Sequence, residues 1–183
     1  FCNSRYLFDQ ANLKYIKKKI SIVSNIFYKE KNYKSKKSKK IVIGSFSNIQ
    51  NIKRPDVIIK ILKTIITKKL NVEIHCFGTD KNNLLKKYSE KILFKNNFKF
   101  FGHQLDVKNF MKKCDFVIAT SENDTLGRTI LEAMSLGIPV FATKMGGHKY
   151  IIKDNTNGFL FDIENENILK QILFVNQNKI LKK

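Results

Sequence analysis

Arginine is scarce in this chain. Of 35 basic residues only Arg5, Arg54 and Arg128 are arginine, and acidic residues number 15. The surplus is lysine, and the formal net charge is +20. Proteins that read bases and phosphate forks lean on the bidentate guanidinium. The charge therefore argues for no specific nucleic-acid partner. Lysine, asparagine and isoleucine are enriched along the whole chain, as in a compositional bias. A lysine coat is still drawn to anionic surfaces, so peripheral contact with an acidic membrane is a reasonable expectation.

Long apolar runs are also missing. No stretch approaches the roughly 20 residues needed to span a bilayer. No cleavable signal sequence is visible, although the N-terminus looks cut. Cys2, Cys76 and Cys114 are odd in number and far apart, without metal-type spacing. Buried free thiols in a reducing compartment are expected, which points to the cytoplasm, with membrane contact at its inner face. There is no P-loop, no zinc spacing and no Ser-His-Asp arrangement. His75 and His148 lack sequence partners for a metal site or a triad, and no cofactor is called for.

What is present fits a globular α/β domain. Hydrophobic residues make up 43 % and charged residues 27 % of 183 residues, enough for one domain with a core, or one domain plus a piece of another. Apolar runs predict strands at 41–45, 71–77, 98–101, 115–119, 138–142 and 158–161. Helical periodicity falls between them, at about 55–69, 81–91, 106–113, 127–136 and 165–175. The strands IVIGSF, FKFFG and FVIAT are nearly continuously apolar, as parallel strands covered on both faces are. The alternation predicts a doubly wound parallel sheet. Before it, a helix is expected from about Arg5 to Ile16 and a strand at Ile20 to Val23. The lysine-rich stretch ending in KSKKSKK reads as a solvated linker, because like charges at that density resist packing.

The segment from Phe116 to Phe161 carries most of the chemical information. Asp124 and Glu132, with seven residues between them, flank a glycine-marked helix start. A Pro-led strand and a Gly146-Gly147 turn follow. Loops at strand C-termini of α/β sheets hold phosphorylated ligands. Carboxylates placed beside a diphosphate meet sugar hydroxyls rather than phosphate oxygens.

The ordered set Ser121, Asp124, Leu126, Gly127, Glu132, Ala133, Met134, Ser135, Gly137, Pro139, Val140, then Gly146-Gly147 and Asn157-Gly158-Phe159-Leu160, resembles the donor-binding domain of family 4 glycosyltransferases. These are retaining enzymes of the GT-B fold, whose C-terminal half is a Rossmann-like domain. The resemblance covers roughly Lys40 to Asp162. It implies four stretches: a remnant of the N-terminal domain at 1–28, the Lys-rich linker at 29–40, the donor nucleotide-sugar-binding domain at 41–175 and a tail at 176–183. The chain then supplies only the donor half. Asp124 stands where the family has Glu, one methylene longer. Asn48 and Gln50 occupy the loop where an Arg is usual.

The resemblance also implies roles. Lys53, with Arg54 beside it, binds the diphosphate and steadies it as it leaves, which is electrostatic catalysis. Asp124 accepts from hydroxyls of the transferred sugar. Leu126, Gly127 and Arg128 present N–H groups to phosphate at a helix start. Glu132 accepts from the ribose diol. Gly102 and His103 cradle the base, and Gly146-Gly147 turns near the sugar or diphosphate. Ordinary structural readings compete: Glu132 could simply pair with Arg128 four residues before it, and Asp124 could simply cap the helix. The partners implied are a nucleotide-sugar donor and a glycan or lipid-linked acceptor. The alternatives are another GT-B enzyme, such as a nucleotide-sugar epimerase or phosphorylase, a degenerate fragment that binds nucleotide or anionic polymer without transfer, and, last, a nucleic-acid module.

Overall fold

The computed structural model describes residues 5, 6, 9, 10, 40–85, 96–164 and 167–178. Six strands form one sheet: β1 (Ile41–Phe46), β2 (Val72–Phe77), β3 (Phe98–Phe100), β4 (Phe116–Ala119), β5 (Val140–Thr143) and β6 (Phe159–Phe161). Their spatial order is β3-β2-β1-β4-β5-β6, and every pairing is parallel. This is the doubly wound order in which the chain runs outward to one side of β1 and then restarts on the other. The crevice for a ligand opens where the direction reverses, beyond the C-terminal ends of β1 and β4.

Side-chain alternation sorts the strands' apolar residues onto two faces. Ile43, Ile74, Phe116, Phe141 and Phe161 pack with α1 (Pro55–Thr67) and α5 (Ile168–Asn178). Val42, Val117, Val140 and Ala142 pack on the other side with residues of α2 (Val107–Met111) and α3 (Arg128–Ser135). In α1 the residues Val57, Ile58, Ile61, Leu62 and Ile65 make one buried stripe. Each such side chain, fully buried, contributes about 1.5–3 kcal/mol. Cys76 and Cys114 are buried free thiols, and burial pushes both up to about 12. No helix among the described residues is long and apolar enough to cross a membrane.

Element boundaries moved where the chain ends a helix. Ile138 was expected in a strand, but its N–H donates to Ala133 O while that of Gly137 donates to Met134 O. Together they close α3 in a Schellman motif, with Gly137 at φ +70°. Pro139 follows without an N–H, so β5 begins only at Val140. At the end of α1, Lys69 adopts φ +50°, and the helix stops at Thr67 rather than 69. Helix α5 starts at Ile168, later than 165, and runs on through Asn178. A short helix, α4 (His148–Ile151), stands where the Gly-Gly turn alone was expected. Most of the helix expected at 81–91, the strand at 20–23 and the linker before Lys40 lie outside the described residues. Of the helix expected at 5–16, residues 5, 6, 9 and 10 are described and helical.

Candidate donor-binding site

The loop after β1 and the loop after β4 are stitched together at the switch point. After β1 the chain makes a 3-10 turn (Asn51–Lys53), and Arg54 at φ +50° redirects it into α1 at Pro55. Thr120 Oγ1 donates to Lys53 O (2.6 Å), Ser121 Oγ to Ile52 O (3.3 Å) and Glu122 N–H to Ile52 O (2.9 Å). Thr143 Oγ1 donates to Ser121 O, bringing β5 into the same lattice. Thr129 Oγ1 donates to Phe46 O (3.0 Å), which ties the first turn of α3 to the end of β1.

This lattice brings Lys53 and Asp124 together, 71 residues apart in sequence. Lys53 Nζ donates to Asp124 Oδ2 at 2.9 Å. Asp124 Oδ1 accepts from Gly127 N–H (3.0 Å) and, more weakly, Leu126 N–H (3.4 Å). Burial pushes the Asp124 carboxyl up, but the bonds from Lys53 and Gly127 outweigh it and hold the group below its ordinary value. Asp124 thus both braces the turn into α3 through the Gly127 N–H and carries charge into the cleft. Arg128 and Thr129, whose N–H groups belong to the first turn of α3, line the same cleft. Its volume is about 310 Å³.

A second hollow of about 380 Å³ adjoins it, and Phe46, Ser47, Asn48, Arg128 and Thr129 line both. Glu132 and His103 stand in this second hollow. The result is one groove along the C-terminal edge of the sheet, with Lys53 and Asp124 at one end and Glu132 and His103 at the other. Arg128 Nη2 lies 3.9 Å from Glu132 Oε1, a loose i,i+4 pair with the arginine largely exposed.

Four expected residues line neither hollow of the groove. Arg54 does not line the groove. It is bound by Asp56 (2.9 Å) and by Glu122, which raise its already high pKa, and so it fastens the loop after β4 to the start of α1. Gly146 and Gly147 stand behind the Asp124 loop. A Cβ on Gly147 would meet Thr125 O at 2.5 Å and Asp124 O at 2.8 Å, so only glycine allows this approach. Gly102, at φ +65°, lines a separate hollow beside Gly78 and Phe100 and meets the groove only through its neighbour His103.

Sequence reasoning named Asn48 and His148 but gave neither a role in the site. Asn48 Oδ1 accepts from Thr79 N–H and Thr79 Oγ1, holding the β1 loop to the end of β2. His148 is fully buried and lines the Lys53–Asp124 cleft. The one hint in the sequence was a histidine placed directly after a Gly-Gly pair, five residues beyond a strand-end threonine.

A model of the glycosyl transferases group 1 family matches residues 27–183. The chain belongs to this family. An uncharacterized glycosyltransferase of Methanocaldococcus jannaschii is 28 % identical over 193 aligned positions, spanning 100 % of this chain and 50 % of the relative. A poly(ribitol-phosphate) α-N-acetylglucosaminyltransferase of Staphylococcus aureus is 30 % identical over 130 positions, covering 69 % of this chain and 26 % of the relative. Among solved structures, Anabaena HepE in complex with UDP-glucose superposes with a TM-score of 0.70 at 26 % identity, over 79 % of this chain and 42 % of that one. This group 1 chain therefore spans half or less of the length of these relatives.

Proposed function

We propose that this chain is the donor-binding part of a retaining glycosyltransferase. The reaction moves a sugar from a nucleotide diphosphate to an acceptor hydroxyl on a glycan or lipid-linked carrier. The observation that carries this reading is the meeting of Lys53 and Asp124, 2.9 Å apart, at the switch-point crevice. The groove that leaves them toward Glu132 and His103 offers polar side chains along its course, as a nucleotide sugar requires.

In this reading Lys53 and the first turn of α3 hold the diphosphate. The pair is half-buried, and a doubly charged diphosphate offers Lys53 a stronger partner than the single carboxylate of Asp124, so the donor can draw Lys53 away. Asp124 is then free to accept from hydroxyls of the transferred sugar. Glu132 accepts from the ribose diol, since one carboxylate can serve two hydroxyls, and the His103 loop meets the base. As the glycosidic C–O bond breaks, negative charge grows on the diphosphate, and Lys53 interacts most strongly at that moment. The helix start and Lys53 supply the positive field, so the reading calls for no metal. Acceptor recognition belongs to the remainder of the enzyme. HepE has UDP-glucose in its structure, which makes uracil the first base to try.

The test is calorimetric titration of UDP, UDP-glucose, UDP-N-acetylglucosamine and GDP-mannose into the chain. Saturable binding of at least one nucleotide sugar, weakened by Glu132→Ala in a folded variant, is expected. A folded chain that binds none of them refutes the reading.

A further inference from the structure

His148 lines the cleft, and the reading above gives it no task. It opens α4, and its two ring nitrogens differ sharply. Nδ1 lies 3.1 Å from Thr143 O and 3.2 Å from Thr143 Oγ1. The carbonyl can only accept. The hydroxyl already spends its proton on Ser121 O, so toward the ring it can only accept too. Nδ1 therefore carries the hydrogen. Burial lowers the proton affinity of the ring, against the pull of Thr143 O and the Asp124 charge, so the imidazole is neutral. That leaves Nε2 a bare lone pair.

Nε2 has no hydrogen-bond partner and is sealed from water. A buried acceptor without a donor is rare and costs free energy. Here it occurs in the wall of a polar cleft, within the electrostatic reach of both Lys53 and Asp124. Those two hold each other at 2.9 Å in the same cleft.

We propose that His148 Nε2 accepts a hydrogen bond from a hydroxyl or amide N–H of the transferred sugar, once the donor diphosphate has drawn Lys53 from Asp124. This rests on reading the cleft as the donor site. Its consequence is selectivity. Asp124 and His148 are neighbouring acceptors, and together they favour a sugar presenting two donors side by side. A methyl group or a carboxylate at that place leaves the lone pair unmet or repelled.

Ring ¹⁵N resonances of the whole chain, free, with UDP and with UDP-glucose or the best-binding nucleotide sugar, test this directly. Nε2 is expected to be unprotonated and free of hydrogen bonds in the chain alone and with UDP. It should move to a hydrogen-bonded position with the nucleotide sugar. His148→Phe should lose about tenfold in affinity for the nucleotide sugar and nothing for UDP, the scale of one hydrogen bond to a buried acceptor. An unmoved Nε2 resonance at saturation overturns the proposal. So does an Nε2 already hydrogen-bonded in the free chain, which would reveal a trapped water, or an equal loss for UDP and nucleotide sugar in the Phe variant, which would mark a packing role. If the Phe variant does not fold, the wild-type resonance decides alone. Failure of the wild-type chain to bind any nucleotide or nucleotide sugar refutes the donor-site reading instead, and this proposal with it.

Discussion

The two ends of the groove are built to different tolerances. Around Asp124 the chain is locked: Thr120, Ser121 and Thr143 lace three loops together, Gly147 backs onto the Asp124 loop at a distance no Cβ allows, and Lys53 closes the front. Around Glu132 the contacts are loose. Arg128 reaches Glu132 only at 3.9 Å, and a Cβ on Gly102 would meet nothing within 4 Å. A site that must aim charge at a breaking bond needs the first kind of construction. A site that only docks a nucleotide tolerates the second. On the proposed reading, the chemistry belongs at the Lys53 end.

The sharpest way to break this contrast is Lys53→Ala in the full-length enzyme. Turnover should fall by about 10²–10³, the scale for removing one group that stabilises developing charge, while the donor dissociation constant changes little. Equal losses in both would make Lys53 a docking charge and erase the distinction between the ends. Next in size is a pair of glycine substitutions. Gly147→Ala, at an ordinary φ of −70°, should destabilise the chain by about 2–4 kcal/mol through backbone clash alone. Gly102→Ala, with open space but φ +65°, should cost only about 1–2 kcal/mol. Denaturant midpoints measure both, and a reversed order would contradict the locked and loose assignment. Glu132→Ala should weaken nucleotide binding by roughly 1–3 kcal/mol without loss of stability, read by calorimetry.

The pH response should be smaller. His75 and His148 both lie below the ordinary imidazole value of 6.5, with burial the largest cause. Below pH 6.5 the unfolded chain therefore takes up protons that the folded chain refuses, so stability is full above that pH and declines as pH falls below it. Asp124, Asp56 and Glu73 are also lowered, and their contribution is lost at more acidic pH. Thermal midpoints at pH 7.5 and 5.5 should differ in that direction, and less so in His148→Phe.

Much of this was legible before any coordinates. Continuous apolar strands announced a sheet covered on both faces, and Lys53, Asp124 and Glu132 line hollows at the C-terminal edge of that sheet. What escaped depended on distant partners. Arg54 looked like a ligand-binding charge, because Glu122, one of its two carboxylates, lies 68 residues away. The close contact of Gly146-Gly147 with the Asp124 backbone had no signal in the sequence. Ile138 had the apolar character of a strand residue, but the helix before it claimed its N–H. His148 carried no partner in sequence, and only the packing of α4 onto Thr143 reveals its orphaned nitrogen.

The most direct test of the central claim is a crystal structure of this chain with UDP-glucose, or whichever nucleotide sugar binds best. Lys53 Nζ is expected turned from Asp124 onto the diphosphate, with Asp124 on a sugar hydroxyl and Glu132 on the ribose. A ligand bound outside the groove, or a nucleotide sugar seated there with the Lys53–Asp124 pair intact and the diphosphate untouched, would contradict it.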